Sequence, residues 1–344
     1  MTDTIPRASR SRAMIERVRP EVDGGCFPIK RTVGEEVIVE ADVFTDGHDQ
    51  LRCLLLHRPA GTPAWEEVPM APLGNDRWQG RFNVTMPGRH GYTVIAWVDR
   101  FLTWRHDLAR RQDSADISVA LQVGIALIKV TAQRTDGAAA QVLEDWAAKL
   151  HAATPEAGRS LAQNESLAAL MAAHAERHFV TEYQRVLEVT VDPLRGRFSA
   201  WYELFPRSCA TDDATHGSFA GVIERLPYIA AMGFDVLYLP PIHPIGRAFR
   251  KGPNNNLAAG PDDHGSPWAI GASEGGHRDI HPQLGSAEDF LRLVKESRAL
   301  GMEVAMDIAF QCSPDHPYVT QHPAWFRHRP DGSIQYAENP PKKY

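Results

Sequence analysis

The sequence predicts a multidomain chain: an immunoglobulin-like β-sandwich with an α-helical insert, followed by the first third of a (β/α)8 TIM barrel. Three observations carry this. Apolar and polar residues alternate with period two over the early part of the chain. An alanine-rich stretch of helical period follows, and a strand–helix–strand–helix–strand rhythm fills the rest. With 344 residues there is room for two or three domains of roughly 150 residues each.

Composition narrows the function classes. The chain is 43% hydrophobic and 23% charged, which excludes wholesale disorder. Asp and Glu (43) slightly outnumber Lys and Arg (37), giving a net charge of −6, so a nucleic-acid binder driven by overall positive charge is excluded. No run reaches the ~18 apolar residues of a membrane span. The arginine-rich N-terminus lacks the apolar stretch of a secretory signal, and residues 1–15 read as a disordered tail. Cys26, Cys53, Cys209 and Cys312 lie far apart with no C-x-x-C pair, which fits a reducing cytoplasm better than a disulfide framework or a zinc ribbon.

Residues 16–119 form the expected sandwich. Val37, Val39, Ala41 and Val43 alternate with polar neighbours, as do Trp78, Gly80, Phe82 and Val84, and then Tyr92, Val94, Ala96 and Val98. Breaks at Asp46-Gly47, Gly74-Asn75-Asp76 and Pro87-Gly88 separate the strands. Trp65, Trp97 and Trp104 are sugar platforms if exposed and core residues if not.

Residues 120–184 read as a helical insert, with stripes Val142, Leu143, Trp146, Leu150 and Leu167, Leu170, Met171, His174. His174 and His178 are four apart, but the order H-E-x-x-H is missing, so they read as a surface pair. A strand at 185–192 returns to the sandwich.

Residues 196–344 carry the truncated barrel. RFSAWYELFP, FDVLYLPP and EVAMDIAF are its strands. The first helix holds Phe219, Val222, Ile223, Leu226 and Ile229, contains Pro227, and closes at Gly233. The second opens with a capping box, Ser286 to Asp289, and is expected to bury Phe290, Leu291, Val294 and Leu300.

Barrel chemistry sits on the loops after the strands. In HPIGRAFRKGPNNN, the cations Arg247, Arg250 and Lys251 stand beside the amides Asn254, Asn255 and Asn256, a set that suits an anionic polyhydroxyl ligand. Next, SPWAIGASEGGHRDIHPQLG offers Trp268 as a platform and His277 and His281 as a weak metal spacing. At the end of the third strand, Asp307 is an acid in an apolar run, followed by Gln311 and Cys312. A buried aspartate needs partners, and it either positions a catalytic group or anchors a neighbouring loop.

WYELFPRS, GFDVLYLPPIHPIG, GGHRDIHPQLG and VAMDIAFQCSPDHP resemble the first conserved blocks of the α-amylase superfamily. The spellings RKGPNNN, GSPWAIG, DIAFQCSPDHP and ENPPKKY resemble the bacterial α-1,4-glucan:maltose-1-phosphate maltosyltransferases, in which Gln311-Cys312 replaces the Asn-His of ordinary amylases. The resemblance implies maltosyl transfer from α-maltose 1-phosphate to the non-reducing end of an α-1,4-glucan, with release of phosphate by a retaining double displacement. It implies no cofactor, no metal, and a homodimer formed through the N-terminal domains, with neither nucleic acid nor membrane as a partner. Lys251 and Gln311 are carried over as donor-binding residues, with Asp307, Asn254, Asn255 and Trp268 as supporting residues. The family's nucleophile and acid/base fall at later strands, so no catalytic residue is assigned within this chain. It reads as an N-terminal fragment, inactive alone. The alternatives are another amylase-family glucanotransferase or glycosidase, and a non-catalytic glucan-binding or dimerisation module.

Overall fold

The computed structural model describes residues 10–174, 176–210 and 216–336. The chain forms two compact units, Met1–Arg197 and Phe198–Tyr344.

In the first unit the strands are β1 (Ala13–Arg19), β2 (Ile29–Thr32), β3 (Glu36–Thr45), β4 (Leu51–Pro59), β5 (Glu66–Pro69), β6 (Ala71–Gly74), β7 (Arg77–Asn83), β8 (Gly88–Val98), β9 (Thr181–Glu182) and β10 (Leu187–Asp192). One sheet runs β1-β3-β7-β6 and the other β2-β10-β8-β4-β5, with β9 also on β8. The period-two pattern sends Val37, Val39, Ala41 and Val43 into one core with Leu55, Tyr92, Val94, Ala96, Leu187 and Val189. The register places Val39 opposite Gly80 and Ala41 opposite Trp78. Strand β8 is covered on both faces, because Ile95 and Trp97 join Leu54 and Leu56 in a second cluster. The returning strand β10 lies parallel to β2 and antiparallel to β8.

Between β8 and β9 the chain forms α1 (Arg100–Arg110), α2 (Ser114–Ala132), α3 (Ala138–Ala152), α4 (Pro155–Leu161) and α5 (Glu165–His174). Leu108, Ile117, Ile128, Leu143, Leu150 and Leu167 are the centre of their core. The helices therefore begin at Arg100, not at 120. The polar run 110–114 masks the apolar spacing of Phe101, Trp104 and Leu108, which are the buried residues of α1. The expected tail over 1–15 is corrected in the same way: Ala13 already pairs with Thr45, and its side chain is buried. Residues 1–9 lie outside the described residues.

Two of the three tryptophans are core. Trp97 and Trp104 are buried, and the Trp104 indole donates to the Ala120 carbonyl at 2.7 Å. Gly124 admits that indole, since a Cβ there would collide with it. Trp65 is half-buried, with the Arg58 guanidinium 4.2 Å over its ring. Because α5 ends at His174, His178 is not on the same helical face. Helix α2 is long and apolar enough to cross a membrane by length and composition alone. Ile117, Leu121, Ile125 and Ile128 of that helix are buried in the helical core.

The second unit holds a parallel sheet, β11 (Trp201–Glu203), β12 (Val236–Leu239) and β13 (Glu303–Met306), in that order. Val236 faces Trp201 on one side and Glu303 on the other. The helices are α6 (Phe219–Ala231), α7 (Ala287–Ala299) and the short α8 (Pro317–Gln321). Leu237 and Leu239 pack with Phe219, Val222, Leu226 and Leu293. Gly233 takes φ +85° just past α6, the left-handed geometry that ends a helix. The Ser286–Asp289 capping box forms in both directions.

Two expectations here need correction. In α7, Leu293 and Ser297 are buried and Phe290 and Val294 are half-buried on the same face, whereas Leu291, and Leu300 just past the helix end, are exposed. The third strand is also shorter than EVAMDIAF, and Ile308 and Phe310 are exposed beyond its end. The ENPPKKY segment lies outside the described residues.

Candidate functional site

The carboxyl ends of β12 and β13 open onto a cavity of about 790 Å³. Its wall includes Lys251, Asn254, Asn255, Trp268 and Gln311, so five of the six singled-out residues come together there. Asp307 does not line the cavity. It stands half-buried at the exit of β13, where its N–H donates to the Leu239 carbonyl, and its carboxylate accepts the Trp268 indole N–H at 2.6 Å. That bond ties the loop of Trp268 to the sheet. Burial, followed by the Asp307 charge, pushes the Tyr238 hydroxyl above its usual pKa.

The three cations of the loop after β12 have different employment. Arg250 donates to the carbonyls of Gly246 (2.9 Å), Ile245 (2.8 Å) and Asp263 (3.0 Å), so it holds the loop's shape. Arg247 pairs with Glu274 at 2.6 Å, and its backbone N–H donates to the Asp315 carboxylate. Only Lys251 keeps its charge for the cavity. It is 7% exposed, and its Nζ has no hydrogen-bond partner among the described residues. An ammonium taken out of water with three donors idle is costly, and an oxygen-rich ligand would relieve that cost.

Asn254 and Asn255 close the turn after Lys251 with φ of 49° and 62°. Asparagine tolerates this left-handed region better than most residues do. Trp268 meets Phe205 edge to face, with ring centroids 5.9 Å apart.

Sequence reasoning missed Phe205, Arg207 and His264, which also line the cavity. The signal was present in Arg207, a cation directly after the first strand of the unit. Its guanidinium donates to the Gly265 carbonyl at 2.8 Å.

His277, Cys312 and His316 lie within 4.8 Å of one another, a grouping that resembles a metal site. The hydrogen bonds assign their lone pairs elsewhere. The Tyr318 N–H donates to His316 Nδ1 at 3.0 Å, which leaves the His316 proton on Nε2. That N–H faces His277 Nδ1 at 3.0 Å, and His277 Nε2–H donates to the Ala309 carbonyl at 2.6 Å. With both rings neutral, neither offers a free lone pair to a cation. His281, the other histidine of the H-x-x-x-H spacing, instead accepts from the Gln283 N–H.

Residues 11–193, more than half of the chain, match the model of α-1,4-glucan:maltose-1-phosphate maltosyltransferase, domain N/S. The chain belongs to this maltosyltransferase family. Residues 203–332 match the α-amylase catalytic domain. The maltosyltransferase of Chlorobaculum tepidum is 49% identical over 98% of this chain and 51% of its own length. That of Myxococcus xanthus is 50% identical over 96% of this chain and 51% of its own. This member of the family thus spans about half the length of those relatives. An α-amylase from Lactobacillus plantarum aligns at 35% identity over 42% of this chain and 30% of its own, with a TM-score of 0.34.

One consequence for this family member is pH-dependent stability. Burial pushes His281 and His316 down to about 4. In the unfolded chain a histidine takes its proton near pH ~6.5. Between those values the unfolded state binds more protons, so stability rises with pH across the window and is lost on acidification. The thermal midpoint of the second unit is expected to fall as pH drops from ~6.5 towards ~4. A midpoint flat across that range would contradict the assignment of these rings as buried and neutral.

Proposed function

We propose that the second unit carries the donor-binding part of a maltosyltransferase site, with Lys251 and Gln311 holding α-maltose 1-phosphate. The observation that carries this reading is the buried, unpartnered ammonium of Lys251 on the wall of a cavity it shares with Gln311. An ammonium beside side-chain amides suits an anionic sugar, with hydroxyls meeting the amides and an acidic or hydroxyl oxygen meeting Nζ. Trp268 supplies an apolar surface for a sugar ring, and Asp307 holds that indole in place. Asn254 and Asn255 shape the rim.

In the whole enzyme the reaction is transfer of maltosyl to the non-reducing end of an α-1,4-glucan, with phosphate as leaving group. Retention by double displacement requires two carboxylates about 5 Å apart. No residue of this chain is assigned either role. The parallel order β11-β12-β13 with intervening helices supports reading the second unit as the opening third of a (β/α)8 barrel. The two sheets around one core support an immunoglobulin-like class for the first. A second copy of the chain is the expected partner, and the exposed Val119, Val123 and Val130 of α2 are apolar surface for it to cover. The four free thiols support a reducing, cytoplasmic setting.

Titration calorimetry on the 344-residue chain tests the donor reading. Binding of α-maltose 1-phosphate is expected to exceed that of maltose and of inorganic phosphate by at least about tenfold. Heat with neither the sugar phosphate nor maltose would remove the donor assignment.

A further inference from the structure

We propose that His277 and His316 are positioning residues: a chain of hydrogen bonds through both rings clamps the segment that carries Gln311 to the loop that follows Trp268. This rests on the reading of Gln311 as a donor-binding residue.

The path is continuous. It starts at the Tyr318 N–H, passes through His316 and His277, and ends at the Ala309 carbonyl, two residues before Gln311. Both ends of the path lie on the segment after β13, while His277 in the middle belongs to the preceding loop. The segment is thus held by a ring of another loop on either side of Gln311. A second tie lies alongside, where the Ser313 N–H donates to the Ile270 carbonyl at 2.7 Å and Cys312 bridges to Ile270. His243 extends the network to the loop after β12 through its contact with the Asp279 carbonyl at 2.9 Å.

The glycines of the middle loop are matched to this arrangement. His316 is 1% exposed, and it fits only because Gly271 and Gly276 lack side chains; a Cβ at either would collide with its ring. Gly271 also has φ +109°, which other residues rarely adopt. Loop backbone, ring and tautomer are therefore mutually specified. A hydrogen-bond network of this kind, with His316 buried and His277 half-buried, rigidifies its surroundings. Next to Gln311 the side chain of Phe310 adds no buried contact, since it is 90% exposed.

Two substitutions separate this role from general stabilisation. His316→Asn keeps an oxygen near the Nδ1 position for the Tyr318 N–H but cuts the link to His277. His277→Gln keeps an N–H for Ala309, whereas His277→Ala keeps nothing. Backbone hydrogen exchange in residues 309–316 is expected to speed about tenfold in His316→Asn and His277→Ala, and within about threefold of the parent in His277→Gln. Affinity for α-maltose 1-phosphate is expected to follow the same order. Unchanged exchange in the first two variants, or loss of folding in both, overturns the positioning role. A long-range ¹⁵N spectrum of the parent chain needs no variant: a proton on Nδ1 of either ring also overturns it. If the parent fails to bind the sugar phosphate, the donor reading falls, while exchange still decides whether the clamp exists.

Discussion

Lys251→Met is expected to weaken α-maltose 1-phosphate binding by about 10–100-fold and, at the same time, to raise the thermal midpoint. The two signs have one cause. Lys251 Nζ is buried and has no hydrogen-bond partner among the described residues, so the free protein carries the desolvation cost of an ammonium. Methionine fills a similar volume without a charge, and removing that cost stabilises the fold by about 1–3 kcal/mol. With ligand bound, the ammonium gains charge-assisted hydrogen bonds, and each contributes about 1.5–3 kcal/mol. The substitution deletes them, which sets the loss of affinity. Calorimetry and thermal melting of the same two proteins check both halves. A variant that melts lower and binds as tightly as the parent would make Lys251 a structural residue, and the donor assignment would lose its main support.

The choice of lysine over its two neighbours shows what the sequence conveys and what it hides. HPIGRAFRKGPNNN reads as a ligand loop from composition, because cations, amides and glycines are concentrated there. It does not say which cation is spare. Arg250 is occupied by three carbonyls 4, 5 and 13 positions away, and Arg247 by Glu274, 27 positions away, and both facts depend on how the loop folds back on itself. Local resemblance supplied Lys251, and the geometry explains why the other two do not compete for the role. Asp307 is similar: its acidity in an apolar run was visible, but its partner, Trp268, is 39 positions away in sequence and is brought near only by the parallel sheet.

The fold was legible where one periodicity ruled. The alternation in β3 and β8 places Val37, Val39, Tyr92 and Val94 in the core as expected. It was less legible where two environments meet. Strand β8 is apolar on both faces, and α1 begins within one residue of its end, so the sequence shows no gap between sandwich and helices. In α7, Ser297 is buried and Leu291 is exposed, an orientation that hydrophobicity alone does not encode.

That junction after β8 is also sensitive to a single change. Asp99→Ala is expected to destabilise the first unit by about 3 kcal/mol. One oxygen of Asp99 accepts the N–H groups of Phe101 and Leu102, both at 2.9 Å, and so caps α1. The other accepts Arg52 Nε at 2.6 Å, which pairs strand β4 with the start of the helices. The carboxylate is 8% exposed, so neither bond is replaced by bulk water without rearrangement. Loss of the cap costs about 0.5–2 kcal/mol. Loss of the carboxylate also leaves the Arg52 guanidinium, 27% exposed, without its counter-charge, and an uncompensated, mostly buried cation adds a further 1–3 kcal/mol or so. Asp99→Asn separates the contributions, since it keeps an oxygen for the cap and removes only the charge. It is expected to cost about half as much as alanine. Urea unfolding followed by far-ultraviolet circular dichroism checks the order parent, asparagine, alanine. Equal stability of asparagine and alanine would assign the whole effect to the ion pair. Equal stability of all three would mean that α1 is held by the burial of Phe101, Trp104 and Leu108 alone, and that Asp99 sets where the helix starts without contributing to how firmly it stays.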